Sequence, residues 1–257
     1  MYKKYDKRHH TTQKMKNLTI ITLFLIIWSP AFASEAPSLE VECDQMVKDN
    51  SNHDLAYEMQ TAVIINQDLA KITDILDRGF DINAPIGCGT FCAVDGALSN
   101  GNGEMLKFLI AKGATPPERT VVNASSKANP TLAYQLVSIL LDAGISPNAK
   151  NYYNSKRYSV ALHKAAWRGH EKVVQLLLSQ PNIELNHFNV DGQTPLMSAI
   201  SKNHLNVATI LMEKGADVHI ISPRGQLRGL TAKGILLKRI EEKNNLLRLL
   251  ESKTEDP

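Results

Sequence analysis

The stretch VALHKAAWRGHEKVVQLLLSQPNIELN, from Val160 to Asn186, occurs a second time in altered form farther along the chain. The later copy is TPLMSAISKNHLNVATILMEKGADVH, from Thr194 to His219. Leu162 falls on Leu196 at an offset of 34 residues, and the first copy has one extra residue near its end. Self-similarity at a fixed period of this length indicates a stack of small, equivalent units.

Partial copies of the same unit flank this pair. The second halves of three earlier copies are LAKITDILDRGFDINA at 69–84, EMLKFLIAKGATP at 104–116 and LAYQLVSILLDAGISPNA at 132–149. A last, altered copy runs from Gly229 to the LLRLLE segment. Most copies end at a turn glycine, and these glycines are Gly79, Gly113, Gly144 and Gly215. The copy that begins at Val160 has Gln180-Pro181 there and no glycine.

The residues within a copy indicate two short helices joined by a tight turn. Thr194 can cap the first helix, and Pro195 suits its first turn, where no amide partner is lost. Gly169 is well placed to end such a helix in a left-handed conformation. Ala165 and Ala166 have almost no side chain, so neighbouring helices can approach closely. A unit of this size cannot bury its apolar surface alone, and stacking supplies the core.

The repeat resembles the ankyrin repeat, a unit of about 33 residues. TPLMSAI and ALHKAAWRGH are similar to the family pattern T-P-L-H-x-A-A-x-x-G-H, whereas the three earlier copies lack its Thr-Pro-Leu-His box. The resemblance implies an all-α solenoid of about five to six helix-turn-helix units. It also implies a concave face, made by loop tips and first helices, that binds another protein.

The first 33 residues have the features of a secretion signal. Basic residues end at Lys16, the apolar run LTIITLFLIIW follows, and Pro30 precedes the small-x-small pattern that ends at Ala33. The apolar run is shorter than the ~20 residues of a spanning helix, so we expect cleavage near Ala33 and no membrane insertion afterwards. Met1 and Met15 both remain candidates for the start, because each begins a complete signal.

Four regions follow from these patterns. We expect a signal peptide at 1–33, an N-terminal helical cap at 34–54, the repeat domain at 55–251 and a disordered tail at 252–257. The segment KRIEEKNNLLRLLE is apolar on one side and charged on the other, which suits an end unit that shows water a polar face. An exported chain with such a signal is expected in a bacterial periplasm or outside the cell.

The charge balance gives no sign of a nucleic-acid partner. The first 33 residues carry six of the 29 Lys and Arg residues and one of the 26 Asp and Glu residues. The remainder therefore has a net charge of −2, without the overall basic character that phosphate binding favours.

The three cysteines are Cys43, Cys88 and Cys92. An exported protein meets an oxidising compartment, so one structural disulfide is expected, and the odd number leaves one thiol over. The pairing stays open. Cys88 and Cys92 are four residues apart, but a metal site would need more ligands than this pair and no matching Cys or His pair is present.

The histidines His163, His170, His204 and His219 fall at repeat positions. We expect His163 to hydrogen-bond the neighbouring backbone and loop, and His170 to satisfy free amides at a helix start or to pack. The alternative is a general base or a metal ligand in an enzyme or metal protein. No nucleophile or carboxylate pair accompanies these histidines in a recognisable pattern, so we expect no catalytic residue, metal or cofactor.

Exposed aromatic and basic residues define a candidate partner-binding surface over the fourth and fifth units. At the ends of first helices lie Trp167, Arg168 and Lys202, in positions that packing between units does not require. A longer loop follows Ser146, and the next loop tip adds one aromatic residue. The candidate residues of these two loops are Tyr152, Tyr153, Arg157, Tyr158 and Phe188. Tyrosine offers a large, stiff contact surface, although a hairpin whose tyrosines pack on each other is an equally good interpretation.

These observations favour a monomeric, non-catalytic protein that binds another protein in an exported compartment. A narrower version of this hypothesis is an inhibitor or immunity protein that neutralises a toxin or enzyme in the periplasm. The alternative from another class is a metal protein or enzyme built on the histidine series. The identity of the partner stays open.

The stacking hypothesis makes a prediction for Ala166. We expect Ala166→Leu to lower the free energy of unfolding by roughly 1–3 kcal/mol, because extra methylenes would overpack the contact between neighbouring helices. Chemical denaturation of the variant and the parent protein measures this difference. A variant as stable as the parent would show that Ala166 faces open space.

Overall fold

The computed structural model describes residues 53–87, 91–154 and 157–254. The proposed signal peptide at 1–33 and nearly all of the proposed cap at 34–54 lie outside these ranges. Within them the chain forms helical hairpins in sequence order, one short β-hairpin and a long final helix. No helix in these ranges combines the length and the hydropathy that a bilayer-spanning segment requires.

Five helical hairpins, here named units 1 to 5, make up the described chain before the final helix. Each hairpin has a first and a second helix. The pairs are α1 (His53–Gln60) with α2 (Leu69–Asp77), α3 (Ala93–Asn100) with α4 (Gly103–Ala111), α5 (Arg119–Ser125) with α6 (Pro130–Asp142), α7 (Ala161–Arg168) with α8 (Glu171–Leu178), and α9 (Pro195–Ser201) with α10 (Leu205–Glu213). A π-helical turn, Thr61–Asn66, extends α1. The final helix is α11 (Ala232–Thr254).

The units stack first helix on first helix and second helix on second helix. In units 4 and 5, α7 packs against α9 and α8 packs against α10. Leu162 and Leu196 are both fully buried at equivalent places in adjacent first helices, as the repeat predicts. One continuous apolar core runs from Met59 in α1 to Ile235 in α11. The predicted ankyrin-type solenoid is therefore confirmed.

Local backbone chemistry sets the ends of the helices. Thr194 caps α9, because its Oγ1 accepts a hydrogen bond from the Met197 amide at 3.2 Å, and Pro195 occupies the first turn. Gly169 ends α7 with a φ of 74°, a left-handed conformation that suits glycine. These predicted capping roles are confirmed. In unit 2, Cys92 begins α3 and its amide donates to Asp95 Oδ2 at 3.1 Å.

Asparagine side chains join successive loops along one edge of the stack. Each of these asparagines stands four residues after the left-handed residue that ends its unit, and its Oδ1 accepts a backbone amide from the next loop. The pairs are Asn83 with Thr115 at 2.8 Å, Asn148 with Glu184 at 3.0 Å and Asn186 with Asp217 at 2.9 Å. We name this series the asparagine ladder. Its bonds satisfy loop amides that no helix or strand would pair.

Units 2 and 4 each vary this pattern. Unit 4 has no turn glycine because Asn182 takes the left-handed conformation instead, with a φ of 57°. In unit 2 the ladder position is Pro117, four residues after Gly113. Proline has no side-chain acceptor, so the loop of unit 2 cannot make this bond to the loop of unit 3.

A two-stranded antiparallel hairpin joins unit 3 to unit 4. Its strands are β1 (Lys150–Asn154) and β2 (Arg157–Val160), in a register that pairs Tyr152 with Tyr158. The hairpin contacts α5, and there Asn151 Nδ2 donates a hydrogen bond to Asn123 Oδ1 at 3.0 Å. It is the one departure from an all-α fold in the described ranges, and it lies in a connection rather than in a unit.

The C-terminal end differs from the expected altered repeat. The chain there forms one helix of 23 residues instead of a hairpin, and this helix continues to Thr254, past the predicted boundary at residue 251. Ile235 faces the core, but several other apolar residues of α11 do not face inward as a polar end cap requires. Leu237 and Leu247 are each 55% exposed.

The asparagine ladder makes a stability prediction. We expect Asn148→Ala to lower the free energy of unfolding by about 1 kcal/mol, because Asn148 also donates to the Asn182 carbonyl and both bonds would be lost. Asn206→Ala is the matched control, since Asn206 bonds only the exposed Glu171 carboxylate and should cost less than ~0.5 kcal/mol. Equal effects in urea denaturation would contradict a structural role for the ladder.

Candidate functional site

Trp167 lies in the last turn of α7 with its indole between two cations. The residue is 40% exposed. The Arg168 Cζ lies 4.9 Å from the ring centroid, and the Lys202 Nζ reaches the same ring from unit 5 at 4.8 Å. A cation over an aromatic face is attracted by the ring's quadrupole. The structure thus brings together three residues that the sequence analysis selects from two different units.

Arg168 and Lys202 belong to a longer row of basic residues. Lys127 precedes them at the end of α5, and Arg239 follows in α11, so unit 3, unit 4, unit 5 and the final helix each contribute one cation. We name these four residues the helix-end cations. Sequence analysis misses Lys127 and Arg239. Aligning their segments with Arg168 and Lys202 in repeat register would have found both.

Two of the helix-end cations bind the carbonyl groups that a preceding helix leaves free. Lys127 Nζ donates to the Ser99 carbonyl at 3.3 Å, and the Arg239 guanidinium donates to the Ser201 carbonyl. The C-terminus of a helix attracts cations, because its last carbonyls lack intrahelical partners and carry partial negative charge. Burial lowers the pKa of Lys127. Arg168 departs from this pattern and stacks on Trp167.

A second aromatic group lies on the β-hairpin. Tyr152 is 55% exposed, and its ring centroid lies 5.3 Å from that of the half-buried Tyr158. Tyr158 in turn contacts the His187 ring at 4.9 Å and the Lys150 ammonium at 4.7 Å. Phe188, beside His187, is half-buried. The hairpin tyrosines thus pack on each other, while Tyr152 still presents its ring to solvent.

Two of the proposed surface residues cannot be placed. The side chains of Tyr153 and Arg157 lie outside the described part of the structure. The other six divide into the group around Trp167 and the group around Tyr158. Whether either group meets a partner stays a prediction.

His163 is a buried structural residue. One ring nitrogen, Nε2, lies 2.6 Å from the His187 carbonyl, and Nδ1 accepts the Val160 amide at 3.4 Å. The predicted bonds to backbone and loop are confirmed. Burial lowers the pKa of His163 to about 4, because the charged form would lose its hydration. The ring is therefore neutral at pH 7.

His170 and His204 repeat a different bond. Each begins a second helix and places its Nε2 against a backbone carbonyl of the preceding unit: His170 against Lys127 at 2.7 Å and His204 against Trp167 at 3.1 Å. His170 is buried. Its ring bonds a carbonyl and not the free amides of its own helix, so that part of the prediction is wrong.

Metal and thiol chemistry have little support in the described ranges. No three His, Cys, Asp or Glu side chains there are grouped closely enough to hold a metal ion. Cys92 is a buried free thiol whose Sγ lies 3.3 Å from Asp95 Oδ2, and burial raises its pKa. Cys43 and Cys88 lie outside the described residues, so the disulfide stays a prediction.

Comparisons with known proteins agree with the repeat. The family model described as ankyrin repeats in three copies matches residues 97–222. Among solved structures, an ankyrin repeat domain from Acinetobacter baumannii AYE superposes with a TM-score of 0.59 at 22% identity, covering 76% of this chain and 97% of that one. These similarities establish the fold.

Two curated relatives share the repeat at moderate identity. The probable 26S proteasome regulatory subunit p28 of Saccharomyces cerevisiae is 27% identical over 134 residues, which cover 50% of this chain and 57% of that protein. The ankyrin repeat and KH domain-containing protein mask-1 of Caenorhabditis elegans is 31% identical over 169 residues, which cover 66% of this chain and 6% of that protein. The chain thus spans less than two thirds of the length of either relative.

The buried state of His163 predicts a pH dependence. Its pKa is lower in the folded protein than the usual 6.5, so the unfolded chain takes up the proton first as the pH falls. The free energy of unfolding should therefore decrease between pH ~6.5 and ~4, by roughly 3 kcal/mol from this residue. His163→Met, which copies Met197 of unit 5, should be less stable at pH 7 but should lose this part of the slope. Denaturation at several pH values tests this, and identical slopes would count against it.

Proposed function

We propose that this chain, whose residues 97–222 are ankyrin repeats, is a non-catalytic scaffold that binds another protein through its concave face and loop tips. The observation that carries the proposal is Trp167, which is 40% exposed in the last turn of the first helix α7. Tryptophan, tyrosine and arginine are the residues most enriched among the energetic anchors of protein interfaces. Trp167, Arg168 and Tyr152 supply all three types.

The stack favours binding because its surface is already in place. First helices and loops are held by the core and by the asparagine ladder, so their side chains lose little further freedom when a partner docks. Trp167 is additionally held by the cations of two units. A preorganised aromatic anchor of this kind supports specific recognition rather than loose association.

We place this activity in an exported compartment, the periplasm or the cell exterior. The support is the signal-like segment at 1–33, with cleavage near Ala33. The mature chain would be monomeric and would not insert into a membrane. An inhibitor or immunity protein for a toxin or enzyme of the same compartment is the narrower form of this proposal, and a toxin as the captured partner would support it.

An enzyme or metal protein built on the histidines is the rival function. It is disfavoured because both ring nitrogens of His163 bond the backbone, His170 and His204 each place one against a main-chain carbonyl, and no three possible metal ligands are grouped in the described ranges. A histidine committed in this way has at most one nitrogen left for a metal or a proton transfer.

Affinity capture with the full chain tests the proposal. The expected result is one dominant, saturable protein retained from an envelope extract. Trp167→Ala with Tyr152→Ala should weaken this capture by about tenfold or more, because interface anchors of these types often contribute over 1 kcal/mol each. The matched control is Tyr134→Ala, which removes a 38%-exposed ring from the second helix α6 on the other face.

The thermal midpoint separates binding from folding in this experiment. We expect both variants to melt close to the parent protein. If the double variant unfolds, the two rings are part of the core and the surface is misassigned. Capture that is equally strong in all three proteins would reject the surface as the binding site.

A further inference from the structure

We infer that the helix-end cations and Trp167 form a binding surface for an acidic, partly apolar protein segment. This inference rests on the proposed protein-binding function and specifies the chemistry of the partner. The relevant cations are Lys127, Arg168, Lys202 and Arg239, of which Arg168 and Lys202 flank the exposed indole.

The distribution of charge around the stack supports an acidic partner. The first helices of units 3 to 5 contain no Asp or Glu; α5 and α7 contain basic residues, and Lys202 directly follows α9. The second helices of the same units each contain an acid, and these are Asp142, Glu171 and Glu213. The first helices of units 3 to 5, with the residues that follow them, therefore form a basic face. Such a face attracts and orients a negatively charged partner.

Arg168 and Lys202 are the cations best placed to bind that partner. Both are exposed, and within the described residues neither forms an ion pair with a carboxylate. Lys71, Arg78, Lys107 and Arg119, in contrast, all have carboxylate partners. The contacts of Arg168 and Lys202 with the indole hold their side chains in place while leaving their charge uncompensated. A carboxylate from outside would supply the missing counter-charge.

The geometry of the site also indicates which chemical groups, besides a negative charge, the partner segment should carry. The planar guanidinium of Arg168 can bind a carboxylate through two parallel hydrogen bonds. The indole of Trp167 offers an apolar surface directly beside it, and burial of that surface would strengthen the ion pair by excluding water. The segment that fits best therefore combines Asp or Glu with a neighbouring large apolar residue. Double-stranded nucleic acid, which presents its phosphates while its bases stay stacked inside, would leave the indole exposed.

A direct binding experiment tests the inference with the full chain. The probe is a fluorescent peptide of alternating Glu, Asp and Leu residues, and the reference peptide has Gln and Asn in place of the acids. We expect the acidic peptide to bind, the reference peptide to bind at least about tenfold more weakly, and high salt to weaken the acidic complex. Equal binding of the two peptides would overturn the inference.

Charge-reversed variants locate the binding site. Arg168→Glu with Lys202→Glu should reduce the affinity for the acidic peptide by about tenfold or more, because repulsion replaces attraction at the indole. Lys172→Glu with Lys214→Glu is the matched control, since it changes the net charge equally at exposed positions in and after second helices. If the reversed pair lowers the thermal midpoint, Arg168→Gln with Lys202→Gln gives the same comparison without repulsion. An equal loss in both double variants would indicate only a net-charge effect and would refute the site.

Two further outcomes distinguish this inference from the proposed function. A captured natural partner that is lost with Trp167→Ala but kept with Arg168→Glu and Lys202→Glu would preserve the scaffold and reject the acidic partner. Absence of any captured protein would reject the scaffold itself. A single-stranded oligonucleotide bound more tightly than the acidic peptide would show that the basic face serves nucleic acid instead.

Discussion

The structure depends on the contact between one helical hairpin and the next. No single unit encloses its own apolar residues, so Leu162 is buried only because α9 and α5 lie on either side of α7. Each interface between units therefore forms part of the core, and it also fixes where the surface residues of the two units lie. Residues at equivalent positions line up from unit to unit, and this alignment is why four cations form a row.

The stack could be predicted from sequence because its decisive residues fix the backbone. Pro195, Gly169 and Thr194 allow few conformations, and their spacing repeats, so the helix boundaries follow from chemistry that acts over a few residues. The bonds of His163 follow in the same way. The end of the stack could not be predicted, since a helix pattern in α11 does not reveal whether a neighbour covers it.

The candidate site was predictable only in part. Trp167, Arg168 and Lys202 occupy positions that the repeat register marks as exposed, and Lys202 reaches Trp167 because adjacent units share that register. Lys127 and Arg239 lie in copies whose first halves lack the full repeat motif, so only an alignment through the neighbouring copies finds them. Their role depends on carbonyl groups of a neighbouring helix, which only the three-dimensional packing brings within reach.

Pro117 lies at the junction of units 2 and 3, here called the seam, where the asparagine ladder is interrupted. In a one-dimensional stack the total stability is close to a sum of contributions from units and from interfaces. The stack therefore opens first at the interface that contributes least. At the seam the loops are not joined through an asparagine, and the helices with their flanking side chains carry the contact. The Arg119–Asp95 ion pair and the bond from Lys127 to the Ser99 carbonyl then join units 2 and 3 in place of the ladder. How readily the stack opens between these units therefore depends on exposed and half-buried charges, which salt and pH can weaken, rather than on a neutral amide.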